Sequence, residues 1–196
     1  MSPKIFCYVQ KKRKAEELLR TQRLPEARAA YAQLSQQSPR DYEIWLNLGA
    51  INGMLRLFDD SEAAFKTAIS VRNDEPRAYF NLARLCELQD RPLEAVAYWQ
   101  SYLRLKTDDA EAHAQMSKLL HRMKQLPEAE QALRHAMKYN SDNANYSNNL
   151  GVILHDLGRY EEALSSYMRS TVILATFTMT AVMMGKPKPV MLPPWK

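Results

Sequence analysis

The sequence predicts an all-α fold, a solenoid of about five stacked helix-turn-helix hairpins. Three observations predict it. "WLNLG" at 45–49, "YFNLA" at 79–83, "HAQMS" at 113–117 and "SNNLG" at 147–151 each begin 34 residues after the last, and a period of 20 to 50 residues is the mark of a repeat architecture. Only 5 glycines occur in 196 residues, while Ala, Leu, Glu, Arg and Gln recur in long runs, a mix that favours helix. Side-chain size is also periodic, with small and large residues returning to fixed places in each unit.

Units begin at Tyr8, Tyr42, Pro76, Ala110 and Ala144, with no insertion between them. Residues 1–7 are a lead and 8–175 the array; 176–196 form an apolar, proline-rich tail. Positions 4, 7, 8 and 11 of a unit are spaced i, i+3, i+4, i+7, one stripe of a helix. Positions 20, 24 and 27 form a stripe on a second helix. The first unit supplies Ala15, Leu18, Ala27, Tyr31 and Leu34 at the matching places. In the four later units, position 8 reads Gly49, Ala83, Ser117, Gly151 and position 20 reads Ser61, Ala95, Ala129, Ala163, all small. Position 24 reads Phe65, Trp99, Leu133, Tyr167, all large. Small residues let the two helices approach, and the large one fills the space beside them. Breaks such as "RLPE" (23–26), "QLPE" (125–128) and "LGRYEE" (157–162) separate the helices. Pro25 and Pro127 sit where a second helix begins, which a first turn tolerates. Asp59–Asp60 and Glu161–Glu162 fall at the same ends, where acids meet the positive end of the helix dipole. One hairpin cannot bury its stripe alone, so hairpins must stack.

This pattern resembles the tetratricopeptide-repeat (TPR) family: Trp45, Leu48, Gly49, Ser61, Phe65 and Ala68 match it closely, and the match covers roughly residues 8 to 175. The resemblance implies a right-handed solenoid. Departures from the pattern fall at position 4, which is Lys11, His113 and Ser147 in three units, and at Asn52, which replaces an aromatic at position 11. Pro92 lies one place earlier than the other turn prolines.

The same resemblance implies that positions 2, 5, 6, 9, 12 and 13 of the first helices line a concave groove. Position 6 reads Asn47, Asn81, Gln115, Asn149. An amide side chain carries a donor and an acceptor side by side, matching one peptide group. Helices pack about 8–10 Å apart, and an extended chain advances about 3.3 Å per residue. Such a column suits an extended peptide gripped near every third residue. It is similar to the asparagine ladder in the TPR superhelix of O-GlcNAc transferases, which binds extended segments of protein substrates; a solvated groove wall is the plainer alternative. Arg77, Phe80, Arg84, Lys118 and Arg122 flank the column as further peptide-binding candidates. The basic ones suggest a partner with some acidic or phosphorylated residues. Position 5 carries no lysine, which argues against the family's clamp for a terminal carboxylate.

The expected function is a non-enzymatic scaffold for protein partners. The alternative is the substrate-docking TPR region of a larger O-GlcNAc-transferase-like glycosyltransferase lacking its catalytic domain. The chain has no phosphate-cradling glycine loop, no G-x-S-x-G and no H-E-x-x-H. His121 and His155 share position 12, but two histidines without a third ligand make a poor metal site. No cofactor is expected. Cys7 and Cys86 form no disulfide framework, and Cys86 belongs to the packing stripe as an inert thiol. The net charge of +5 arises within residues 1–41, where "KKRK" (11–14) lies; the other 155 residues are neutral overall, so nucleic acid is not the expected partner. No secretion signal and no run of membrane-spanning length is evident, and a cytoplasmic location is expected. Residues 171–185 carry no charge. Three readings stay open for this tail: a cap on the last hairpin, a segment that docks into a partner, lipid or second copy, or a truncated or frame-altered end.

Overall fold

The computed structural model describes residues 3–183 and the side chains of 6–179. These residues form ten helices and no strand: α1 (Pro3–Arg20), α2 (Leu24–Gln37), α3 (Tyr42–Met54), α4 (Phe58–Val71), α5 (Pro76–Leu88), α6 (Pro92–Leu105), α7 (Ala110–Arg122), α8 (Leu126–Tyr139), α9 (Ala144–Asp156) and α10 (Tyr160–Met183). Four first helices start on the predicted unit boundaries, and all five second helices start at position 17. The first helix instead begins at Pro3, five residues ahead of the boundary at Tyr8, and α10 runs on across residue 175. The remainder of the tail, 184–196, lies outside the described residues.

The chain divides into two compact units, Met1–Leu105 and Lys106–Lys196. In the first, the hairpins α1/α2, α3/α4 and α5/α6 stack in chain order; in the second, α7/α8 stacks on α9/α10.

Three of the first helices, α3, α7 and α9, open on a side-chain cap, whereas α5 opens on Pro76 without one. Asp41, Asp109 and Asn143 accept from the backbone N–H of Glu43, Ala112 and Asn145, each at 3.0 Å. These bonds satisfy donors that a helix start leaves orphaned. Second helices instead open with Pro25 or Pro127, or with acids in the first turn. The bend inside every hairpin follows one backbone path. Gln22, Arg56, Asp90, Lys124 and Gly158, at position 15 of each unit, all take positive φ, between 56° and 76°. The next N–H then bonds back five residues, as from Leu57 to Asn52 O and from Arg159 to Leu154 O, both at 2.9 Å. This is the Schellman termination, which needs a left-handed residue at its centre.

The small column is buried as expected, and so is the large one except at Tyr167, which is half-buried. Ala15, Ala83 and Ser117 at position 8 and Ala27, Ser61, Ala95 and Ala129 at position 20 are fully buried. Tyr31, Phe65, Trp99 and Leu133 at position 24 are at most 3% exposed, each contributing roughly 1.5–3 kcal/mol by burial. A Cβ built on Gly49 would lie 2.6 Å from Cδ1 of Phe65, and one on Gly151 2.5 Å from Cε1 of Tyr167. Glycine at these two places lets a full aromatic ring lie flat on the first helix.

The hairpins are also joined by charge. Arg91, just ahead of α6, binds Glu62 of the preceding hairpin at 2.6 Å as well as Glu94 in the first turn of α6. In the second unit Arg159 repeats this with Glu130 at 2.6 Å and with Glu162. Asn52, the polar substitute in the packing stripe, is 3% exposed and accepts from Arg28 Nε at 2.8 Å, so its burial is compensated.

Candidate functional site

Four amides at position 6 head the candidate site, two in each compact unit. In the first unit, Asn47 lies half-buried on α3, and its Nδ2 donates to Tyr31 Oη at 3.2 Å. Part of its donor capacity is therefore used inside the protein, while its carbonyl is not. Burial pushes the Tyr31 hydroxyl up to about 12, so it stays protonated across the ordinary pH range. Asn81, at the same place on α5, is half-buried and makes no side-chain hydrogen bond among the described residues. Phe80 beside it is 39% exposed. Its ring stands edge-on to Trp99 with centroids 5.2 Å apart and lies 5.6 Å from Tyr102, a contact geometry that aromatic quadrupoles favour. Trp99 in turn donates from its indole N–H to Glu87 at 2.6 Å.

The cations of this unit differ in availability. Arg77 makes a two-pronged pair with Glu43, linking α5 to α3, and its guanidinium also lies 5.5 Å from the Tyr42 ring centroid. Arg84 is exposed and 3.7 Å from Glu87. Arg77 is thus a strut between neighbouring first helices, and Arg84 is the freer charge.

In the second unit, Gln115 donates from Nε2 to Glu111 Oε1 at 2.6 Å, along its own helix. Glu111 also accepts from Tyr146 of α9 at 3.0 Å. Asn149 is 4% exposed, far more enclosed than the other three amides. Lys118 is exposed and has no acidic partner among the described residues; Arg122 is exposed on the last turn of α7. His121 and His155, which share a place in the repeat, do not meet. His121 Nε2 sits 2.8 Å from Asp156 Oδ2, bridging α7 and α9, whereas His155 stands edge-on to Tyr160. His121 ahead of Lys124 holds the Asp156 carboxyl below the usual carboxylate range.

The cross-helix struts Glu43–Arg77, Glu111–Tyr146 and His121–Asp156 join positions in different units of the repeat, and their partner choice was not legible from spacing. Cys86 is fully buried, and burial pushes its thiol up to about 11. Of "KKRK", Lys11, Arg13 and Lys14 are exposed, and Lys12 binds Asp41 at 2.8 Å. No helix among the described residues is long and apolar enough to cross a membrane.

Hairpins of this construction, with a polar face on the first helices, define a repeat-built interaction scaffold. The tetratricopeptide-repeat family model matches residues 12–52, 55–110 and 116–176; the chain belongs to that family. Among curated proteins it is 28% identical over 138 residues to Protein O-mannosyl-transferase Tmtc3 of Drosophila melanogaster, a match covering 70% of this chain but 15% of that protein. Among solved structures it resembles MamA, with a TM-score of 0.78 at 16% identity over 95% of this chain and 98% of the other. It also resembles YrrB, described as a TPR protein with an unusual peptide-binding site, with a TM-score of 0.71 at 19% identity over 87% and 88% of the two chains.

Proposed function

We propose that the chain holds an extended peptide segment along the amide-bearing faces of its first helices. The observation that carries this reading is Asn81: a half-buried amide without an internal partner among the described residues, on the same helix as the exposed Phe80 ring and the exposed Arg84. A polar group so placed favours an incoming peptide C=O and N–H, with Phe80 and Arg84 reading apolar and acidic or phosphorylated neighbours. Asn47, with its free carbonyl, extends this face in the first unit. Gln115, Lys118 and Arg122 form the corresponding face of the second, with Asn149 enclosed beneath it, and Arg77 acts by positioning Glu43. YrrB supports the reading by likeness of fold and by its described peptide-binding site. A cytoplasmic setting and a purely non-catalytic role belong to the same proposal.

Selection from a random linear-peptide library, followed by titration of the selected peptides, tests it. Affinity should fall at least tenfold in Asn81→Ala, with an unchanged melting temperature. Equal affinity of Asn81→Ala and wild type for every selected peptide refutes the role of this face.

A second reading rests on the match to the O-mannosyl-transferase, which spans only 15% of that protein. Here the array is the substrate-docking part of a larger glycosyltransferase. Joining the array to such a catalytic region and measuring transfer to extended acceptor peptides separates the two. Transfer that does not depend on the array removes this reading.

Self-association through the end of the chain has its own support. Leu164, Met168, Val172 and Met179 are each at least 60% exposed along one side of α10, and residues 171–179 contain no charge to oppose a second copy. Light scattering of the full chain against one ending at Ser170 tests it; two monomers over the same concentration range would exclude it.

A further inference from the structure

Position 4 of the repeat carries a ring on the first helix of the second, third and fourth units. Trp45 fills that place in the second unit of the repeat, packing against both buried clusters of the first compact unit and donating to Pro39 O at 2.8 Å. Tyr79 fills it in the third, donating to Asn73 O at 3.2 Å. His113 fills it in the fourth, stacked on Tyr139 with centroids 6.0 Å apart. In the fifth the residue is Ser147, and nothing replaces the missing ring. The result is a cleft of about 480 Å³ floored by Ser147, Leu150 and Leu154 of α9 and walled by α8 and α10.

Two features make this cleft more than a packing defect. Ser147 is fully buried, yet its Oγ has no hydrogen-bond partner. An unpartnered buried hydroxyl costs free energy until something meets it. The rim is basic: Arg134 and Lys138 from α8 and Arg169 from α10 face one acid, Glu162. Glu162 is already bound by Arg159 at 2.6 Å, and Arg134 is matched by Glu130 at 2.7 Å. Lys138 and Arg169 have no carboxylate partner among the described residues; Arg169 reaches only Ser141 O, at 3.3 Å. A floor of Leu150 and Leu154 where three other units carry a ring, a buried hydroxyl without a partner and two cations without a carboxylate specify one chemistry.

We propose that this cleft binds an acidic peptide through an aromatic anchor. The ring takes the place that Trp45 occupies in its own unit, the Ser147 hydroxyl meets a polar atom of the ligand, and the acid groups pair with Lys138 and Arg169. The site lies between second helices and involves none of the amide positions, so it stands or falls independently of the peptide face proposed above.

Calorimetric titration of the full chain tests it. The probes are the blocked peptides Glu-Glu-Trp-Glu-Glu and Glu-Glu-Ala-Glu-Glu, with an Ala-phosphotyrosine-Ala peptide to distinguish phosphate from carboxylate as the anion. The expected result is binding of an aromatic acidic probe at least tenfold tighter than the alanine control, abolished by Ser147→Trp, which fills the cleft from inside. Lys138→Glu, at an exposed site that tolerates change, should weaken the same probe at least tenfold. It serves as the deciding variant if Ser147→Trp melts below wild type. Tighter binding of the phosphotyrosine probe, with the same dependence on Lys138, supports the proposal with phosphate as the anion. Equal affinity for the tryptophan and alanine peptides, aromatic-probe binding that survives Lys138→Glu, or no binding of either aromatic probe at millimolar concentration overturns it.

Discussion

Ser61 Oγ donates to the carbonyl oxygen of Gly49 at 2.7 Å, wholly inside the protein. The same link runs the other way in the fourth unit of the repeat, where Ser117 Oγ donates to Ala129 O at 2.6 Å. Positions 8 and 20 are thus the closest seam between the two helices of a hairpin, and a hydroxyl on either side can bridge it. Because the Gly49 carbonyl keeps its own helical partner, Ser61→Ala should cost only about 1 kcal/mol. Chemical denaturation would show it as a lower midpoint with an unchanged slope.

Gly49 should tolerate far less. An alanine Cβ there would meet the Phe65 ring at 2.6 Å, and a ring held at 3% exposure has little room to move. Gly49→Ala is expected to destabilise by about 1–3 kcal/mol, the usual cost of overpacking. Adding Phe65→Leu should recover part of that loss, since the fourth unit already pairs Ser117 with Leu133. A double-mutant cycle read by thermal melting checks the coupling, and additive effects would show that the two residues do not compete for space.

The left-handed bend offers a prediction of opposite sign. Arg56 and Lys124 hold φ of 61° and 62° where only the fifth unit has glycine. Arg56→Gly and Lys124→Gly should each stabilise by up to about 1 kcal/mol, relieving a conformation that L-residues disfavour. Gly158→Ala should lose a similar amount, although its Cβ would meet nothing within 4 Å. That last variant isolates the backbone cost from any steric clash.

Acid should weaken the first compact unit through Glu62. Hydrogen bonds from Arg91, and then from Lys66, hold its carboxyl down to about 2, against an ordinary value of 4.5. The folded value is the lower one, so the pair stabilises the fold fully above about pH 4.5 and is lost as pH falls toward 2. After allowance for solvent screening this is on the order of 1–2 kcal/mol. Urea midpoints measured from pH 6 to pH 3 should fall less steeply in Glu62→Gln than in wild type.

Thiol chemistry should divide the two cysteines. Cys86 is fully buried with its thiol pushed up to about 11, whereas Cys7 is exposed on α1. A thiol-specific disulfide reagent at pH 8 should modify one equivalent quickly and the second only on unfolding. Two fast equivalents would mean that α5 opens readily.

The helices were legible in the sequence because their cause is periodic. A 34-residue step in side-chain size sets the starts of α3, α5, α7 and α9, and the proline and acid signals set the second helices. The bend was legible only at Gly158. Gln22, Arg56, Asp90 and Lys124 give no local sign of positive φ, since the hydrogen bond and packing around the turn impose it. At the candidate site, spacing placed the amides on the first helices, but it could not show which ones the protein itself uses. Asn47 bonds to Tyr31 from the preceding hairpin and Arg77 to Glu43 of the preceding first helix, choices that depend on three-dimensional neighbours, whereas Gln115 bonds to Glu111 one turn back on its own helix. Ser147 was visible as a departure from the pattern, but its consequence depends on what α8 and α10 leave unfilled.

The shared bend has a bearing on how such chains change over time. Five different residues, four with side chains and one glycine, ride the same turn, so its shape does not depend on which of them occupies it. Copying or deleting a whole 34-residue block would leave every remaining corner intact. Natural variation in array length needs no compensating loop mutations, and the outward side chains of the corners can drift toward new surface chemistry without disturbing the helices they join.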